Sequence, residues 1–458
     1  MKIEIPSTHL EKYGISGPRY TSYPPAPVWS TSVGPMEWEG VGCRSRESKK
    51  PISFYIHLPF CEKRCLFCGC NVLITKKKEI LTEYVDLLEK EFELLAPSLE
   101  GREVAQLHFG GGSPSFMPPA LLARIMDFLK KRLRFSSEAE IAIEMNPEQV
   151  NEHLLTLLKC HGFNRVSLGV QDFDVKVQQT IGRIYPFSSL YDAVEMTRSI
   201  LNVNSINLDL IYGLPFQNQD SFQATLEKTL FLHPDRVAVY PYAHVPWIRP
   251  QQRNFETEAL PGPQLKSRLW CDAVETFSQR DYELIGMDHF CKESDELAIA
   301  FKNKSLHRNF MGYTTRKGLD QFAIGLTGIS SVEEGYFQNH TKLSDYRKAL
   351  NSGKPPIQRG YLLSPEDVLR REVIMNILVR AEVSFSEIEE EFPIDFSTHF
   401  SQSLEKLQDM ERDGLVDLTS TGFKATAIGK YFLRNLAFLF DETYKAPVEG
   451  TQVYSRTV

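Results

Sequence analysis

Three cysteines stand close enough to act together: Cys61, Cys65 and Cys68, in the run CEKRCLFC. The spacing is C-x3-C-x2-C, and Cys70 follows two residues later. Thiolates this near can converge on one iron–sulfur cluster, and a cubane [4Fe–4S] cluster is ordinarily held by four of them. Held by three, it keeps one iron with an open position, and an open position on a metal is where chemistry happens. Zinc knuckles favour paired C-x2-C brackets, and no second bracket exists. A disulfide framework does not suit a chain of 458 residues that lacks a secretion signal. The cluster is the favoured reading.

Such a loop needs rigid elements on either side. Just before it, Tyr55 and His57 alternate with apolar neighbours, which puts both on one strand face. Short β-rich runs recur from about residue 51: ISFYIHL, VAQLHFG, EIAIEM, RVSLGV, INLDLIYG and RVAVYPY. Between them lie segments such as LTEYVDLLEKEFELL and PALLARIMDFLKKRL, with apolar residues near a 3.6 spacing. Alternating strands and helices mean βαβ units, an α/β fold and a parallel sheet. In such sheets the site lies at the C-terminal ends of the strands. The cysteine loop follows the first run and the glycines 110–112 follow the second. Glu144 ends the third, Gln171 the fourth, Asp209 lies within the fifth and Ala243 follows the sixth.

Three units are expected: an arm over 1–50, a barrel over 51–335, and a helical, winged-helix-like domain over 336–458. The proline-rich arm reads as a surface wrap or lid. The acidic helices of the last unit suit a packing lid over the barrel mouth better than DNA binding. The net charge of −7 likewise argues against nucleic acid. The most apolar late stretch, YFLRNLAFLF, carries Arg434 and Asn435 and is too short to span a bilayer. With no apolar leader in MKIEIPSTHLEKYG, a cytoplasmic monomer is expected. The remaining cysteines, Cys43, Cys160, Cys271 and Cys291, read as free, small buried residues.

The cysteine spacing, with Phe67 before the third thiol, resembles that of the radical S-adenosylmethionine (SAM) enzymes. Further motifs narrow the resemblance to the oxygen-independent coproporphyrinogen III oxidases. They are CEKRCLFCGC, PRYTSYP from Pro18, FYIHLPFC from Phe54, HFGGGSPS from His108, GVQDF from Gly169 and NLDLIYGLP from Asn207. YAHVP from Tyr242, GMDHF from Gly286 and LHRNFMGYTT from Leu306 complete the set, which runs along nearly the whole chain.

The resemblance implies a partial (β/α)6 barrel holding a [4Fe–4S] cluster on Cys61, Cys65 and Cys68, with SAM on the open iron. The count, one SAM or two, is left open. An electron passes to the sulfonium and releases a 5′-deoxyadenosyl radical. That radical converts two propionates of coproporphyrinogen III to vinyl groups. It also implies cofactor contacts at Tyr55, Phe67, Gly111, Gly112, Ser113, Glu144, Gln171, Arg183, Asp209, Ala243 and Ile329. Ser113 stands where the family commonly has threonine. Cys70 and Met311 are the candidate catalytic residues, and Met311 replaces a common glutamine. The tetrapyrrole is a small-molecule partner, a small redox protein is the expected electron donor, and Arg19, Arg249, Arg308 and Arg316 are candidates for its carboxylates. The competing reading is a haem-binding relative without decarboxylase activity.

Overall fold

The computed structural model describes residues 3–47, 49–201, 203, 205–332, 335–444 and 454–457. All six expected strands form: β1 (Ile52–Leu58), β2 (Glu103–Gly111), β3 (Arg134–Met145), β4 (Arg165–Gln171), β5 (Ile206–Tyr212) and β6 (Arg236–Pro241). They pair in parallel and in chain order. A seventh parallel strand, β7 (Asp320–Ile324), lies on the free side of β1. Antiparallel strands extend both edges, giving a twelve-stranded sheet that ends at Ile357–Leu362 on one side and Tyr282–Ile285 on the other.

The connecting helices follow from their patterns. Lys78–Leu99 buries Leu81, Tyr84, Val85, Leu88, Phe92 and Leu95, one face at helical spacing. Pro119–Arg132 opens on proline, whose fixed φ suits a first turn, and closes on Lys130, Lys131 and Arg132, which complement the carbonyl end. Strand alternation sorts the sheet's two faces. In β4, Val166, Leu168 and Val170 are fully buried beneath the helices. Arg165 and Ser167 point inward, with Gln106, Glu140, Asn207 and Arg236, around a cavity of about 120 Å3. The barrel interior is therefore polar, braced by Arg165–Glu140 at 2.8 Å and Arg236–Asp295 at 2.8 Å.

Three expectations change. The boundary at 335 falls inside the sheet, because Gly335–Asn339 and Ile357–Leu362 pair with each other and with Ile329–Val332. The arm is no surface wrap. Tyr20 and Tyr23 are 1% and 0% exposed, Tyr20 Oη donates to Asp441 at 2.7 Å, and Trp29 stacks on Tyr336 at 5.2 Å. Its aromatic rings make it a wedge between sheet and C-terminal domain. Cys160 is exposed, at the end of helix Glu152–Cys160, whereas Cys271 and Cys291 are buried; the side chain of Cys43 lies outside the described residues.

Past Leu362, helix Pro365–Arg380 leads into a three-stranded sheet of Glu382–Ser384, Gly422–Ala425 and Val416–Thr419, with Ser401–Arg412 packed alongside. The strands Val416–Thr419 and Gly422–Ala425 form the expected hairpin, followed by a helix. That helix, Leu433–Phe438, brings Arg434 to the carbonyls of Gly17 and Pro18 in the arm. No described helix is long and apolar enough to cross a membrane.

Candidate active site at the strand ends

A cavity of about 260 Å3 opens at the C-terminal ends of β1 to β6. Cys61, Cys65, Cys68, Cys70 and Phe67 form one wall, and Gly111, Gly112, Ser113, Glu144, Gln171, Arg183 and Asp209 the other. Twelve residues expected from the sequence thus meet in one place.

The cysteine loop is fastened from outside itself. Leu66 N–H donates to the Ile181 carbonyl at 3.0 Å. Gln252 Nε2 donates to the carbonyls of Phe67 (2.9 Å) and Ala243 (3.2 Å), Gln251 Nε2 to Cys68 (2.7 Å) and Arg249 Nε to Gly69 (2.8 Å). Gln252 is fully buried. Sequence reasoning missed both glutamines, since nothing in PQQRN marks them. Arg249 was expected to meet substrate; its Nε instead holds the loop.

The thiols differ. A bond from the Cys70 side chain, helped by its N–H at 3.3 Å and by Arg249 and Arg64, lowers Cys68 to about 6. Burial, then the neighbouring Cys68 and Cys65, pushes Cys61 up to about 12. A bound cation reverses such a shift, because a ligating thiol is deprotonated outright. No three His, Cys, Asp or Glu side chains among the described residues converge as a single ion requires. A cubane cluster needs no such convergence, since its thiolates bind different irons. Three free thiols spread over one cavity wall fit it.

The opposite wall holds two contrasting carboxylates. Glu144 keeps 43% of its side chain open to the cavity. Burial pushes it up, but His108 Nε2 at 3.0 Å from Oε1 and the Gly111 N–H at 3.3 Å from Oε2 outweigh that and hold it low. Asp209 accepts Ser167 Oγ (2.9 Å) and Asn207 Nδ2 (2.8 Å), yet burial raises it to about 6. Arg183 donates to the carbonyl of Gly169 (2.8 Å) and to Asn146 Oδ1 (2.9 Å), and its Nη1 stands 3.9 Å from Cys65 Sγ. Its Nε is buried without a partner, while the residue itself lines the cavity with a guanidinium suited to a carboxylate. Gln171 sits at φ +72°, a conformation uncommon outside glycine and characteristic of sites held under strain.

The glycines have a protein reason as well. A Cβ on Gly112 would lie 2.7 Å from the Phe60 carbonyl oxygen, and one on Gly111, at φ +114°, 2.6 Å from the His57 ring. Close strand packing alone demands them. Ser113 Oγ donates to Gln149 Oε1 at 2.7 Å. Phe67 lines the cavity and also packs beside Val177 and Ile181.

Four of the expected cofactor and catalytic residues lie off this cavity's lining. Tyr55 stands behind Glu144, stacked on His108 at 5.8 Å, with Oη 3.1 Å from His57 Nδ1. His57 is a bonded core histidine, lowered to about 4 by burial against the pull of the Asn71 carbonyl. Ala243 is tied to the loop through Gln252, and Ile329 lies beyond β7 on Ile329–Val332. Met311 lines the inner polar cavity beneath, which shares Glu144, Ser167, Asp209 and Tyr240 with the cysteine cavity. Arg316 lies elsewhere, donating to the Glu138 carbonyl and lining a cavity with Lys50 and Asp320 near the strands' N-terminal ends.

Comparison with known proteins agrees with this geometry. Residues 55–229 match the Radical SAM superfamily, and 363–432 match the HemN C-terminal domain. The chain is 41% identical to an oxygen-independent coproporphyrinogen III oxidase of Helicobacter pylori, across 98% of each chain. It is 38% identical to that of Escherichia coli K12, across 98% of this chain and 97% of the relative. A solved coproporphyrinogen III oxidase (HemN) from Escherichia coli, described as a radical SAM enzyme, superposes with a TM-score of 0.91 at 36% identity, over 97% of this chain and all of that one. The chain belongs to the oxygen-independent coproporphyrinogen III oxidase family of radical SAM enzymes.

Proposed function

We propose that this enzyme carries out the anaerobic oxidative decarboxylation of two propionates of coproporphyrinogen III, giving the two vinyl groups of protoporphyrinogen IX in haem biosynthesis. The observation that carries the reading is the single cavity joining Cys61, Cys65 and Cys68 to Glu144, Gln171, Arg183 and Asp209. It is supported by relatives of that name along the full chain.

A [4Fe–4S] cluster and SAM, when bound, supply the hydrogen-abstracting chemistry, which is the cofactors' own. The chain's residues bind, orient and exclude water. Cys61, Cys65 and Cys68 would hold three irons of the cluster. Arg183 would offer its guanidinium to a carboxylate of SAM, while Glu144 and Asp209 would accept from its amino or hydroxyl groups. Gln171 and Ser113 fix the cavity's shape, and Phe67 presents a ring face for adenine. Tyr55 supports Glu144 from behind. Ala243 and Ile329 contribute through the loop and the edge of the sheet. Cys70 tunes Cys68 without ligating. The chain is organised as an arm over 1–50, a catalytic sheet from 51 and a C-terminal domain beginning near 363. The protein is read as a cytoplasmic monomer that receives electrons from a small redox protein.

The test is anaerobic: reconstituted protein, SAM, reductant and coproporphyrinogen III. Protoporphyrinogen IX should form with two SAM consumed per product. SAM cleavage with no porphyrinogen product would defeat the substrate reading.

A further inference from the structure

A second cavity, of about 160 Å3, lies where the arm, β6 and the C-terminal domain meet. It is smaller than the roughly 300 Å3 or more of pockets that take a whole drug-sized ligand. Four cations line it, Arg19, Arg308, Lys430 and Arg434, against one acid, Asp288. Asp288 is already engaged, with His289 Nδ1 at 2.7 Å. Among the described residues none of the four cations makes an ion pair.

The three guanidinium groups spend donors on backbone: Arg19 on the Pro241 carbonyl (2.9 Å), Arg308 on that of Tyr20 (2.8 Å) and Arg434 on that of Pro18 (2.9 Å). Carbonyls accept hydrogen bonds but do not cancel charge. Burial, and then repulsion from Arg19, lowers Arg434 to about 9, so the cluster is electrostatically unfinished. Two of the residues that line the cavity also hold a buried donor with no partner, Arg308 at Nε and Tyr431 at Oη. Surplus positive charge and idle donors together call for an anion with two or more acceptor oxygens. Tyr240 lines both this pocket and the cysteine cavity.

We propose that this pocket anchors a propionate that the tetrapyrrole keeps, not one that it loses; the inference rests on the proposed function. A cation on the reacting carboxylate would stabilise the starting charge relative to neutral CO2 and raise the barrier. On a retained carboxylate the same contact binds substrate and product alike and costs the reaction nothing. One edge of the macrocycle is held here, and a converting propionate on another edge reaches the cysteine cavity past Tyr240.

The experiment compares coproporphyrin III, with four propionates, and protoporphyrin IX, with only the two retained. Fluorescence titration of reconstituted protein gives the affinity of each for wild type, Arg19→Gln and Lys430→Gln. Both substitutions should weaken both porphyrins by similar factors, tenfold or more for Arg19→Gln. Lys430→Gln makes the result independent of the arm's anchoring, since among the described residues its ammonium makes no hydrogen bond. Loss for coproporphyrin III alone would overturn the proposal in favour of a converted propionate, and no loss for either would remove the pocket from substrate binding. Wild type that binds neither porphyrin and forms no protoporphyrinogen IX would defeat the proposed function itself.

Discussion

Glu91 is buried and Asp209 half-buried, desolvation raises both carboxylates, to about 7 and about 6, and they serve opposite ends. Glu91, on the helix behind β1, is closed from every side. Gly325 N–H donates at 2.7 Å, Asn339 Nδ2 at 2.5 Å, and Tyr346 Oη completes the set. These donors come from three segments more than 200 residues away, so the charge clasps the far edge of the sheet to its centre. Asp209, with Glu144 beside it, faces a cavity and keeps acceptor capacity in reserve. A buried acid with all its partners inside the protein is structural. One whose remaining valence faces a void is a site. The rim is accordingly separable from the fold, and the core is not.

The sharpest way to break that contrast is at the thiols. Cys65→Ser should abolish iron and sulfide binding on anaerobic reconstitution. The cluster-free variant should unfold within about 0.5 kcal/mol of the cluster-free wild type, as a surface change does. Cys70→Ser should keep its cluster. A full cluster in Cys65→Ser, or none in Cys70→Ser, would overturn the ligand assignment.

Next comes the core. Glu91→Ala orphans three buried donors and should cost about 3 kcal/mol or more in urea unfolding, leaving SAM affinity intact once folded. Asp209→Ala and Glu144→Ala should do the reverse. Each loses roughly ten- to a hundredfold in SAM affinity, about 1.5–3 kcal/mol, with little loss of stability. If Glu91→Ala impairs SAM binding as strongly as they do, the division into core and rim fails.

Acidity refines it. The Asp209 carboxyl is raised, so the folded state binds its proton more tightly than the unfolded chain. That stabilisation is complete below the ordinary carboxyl value near 4 and is lost as pH rises through about 6. Asparagine mimics the protonated form. Asp209→Asn should therefore be more stable than wild type at pH 8 and level with it near pH 4. SAM affinity should run the other way, with wild type strong above pH 6 and the variant weak throughout. Parallel stability curves for the two proteins would exclude Asp209 as the titrating group.

Local signals made the rim legible. The cysteine spacing, the strand-end polar residues and the six β-rich runs are each contained within a dozen residues. What could not be read is what distant segments supply. β7 pairs with β1 across more than 260 residues, and DQFAI looks like any short apolar run. Gln252 fastens the cysteine loop from 185 residues away. The arm's aromatics, Tyr20, Tyr23, Trp29 and Trp38, follow no period, so their burial leaves no pattern. Glu91 reads as one more polar residue on an amphipathic helix. Its role depends on Gly325, Asn339 and Tyr346 arriving.

Met311 carries the smallest expected effect and lies on the line between the two regions. It sits at the turn of the hairpin His307–Asn309 and Gly312–Thr314, in the polar cavity that shares Glu144 and Asp209 with the rim. Its N–H donates to Asn309 Oδ1 at 2.9 Å, which sets the turn regardless of side chain. If the side chain only fills space, methionine is an adaptable filler, and Met311→Gln should leave the rate of protoporphyrinogen IX formation within about threefold. If the position must hydrogen-bond substrate or SAM, an amide here faces Glu144 and Asp209 with two donors and an acceptor, and the variant should be faster. Arg165 already pairs with Glu140 inside that cavity, Arg236 with Asp295 beyond its lining, and Glu144 already accepts from His108 and Gly111. Asn207 Oδ1 is buried there without a partner, but a methionine side chain brings no donor to it, so packing is the expected role. A tenfold gain under identical anaerobic conditions, about 1.4 kcal/mol in barrier, would move Met311 from the packed interior to the working rim.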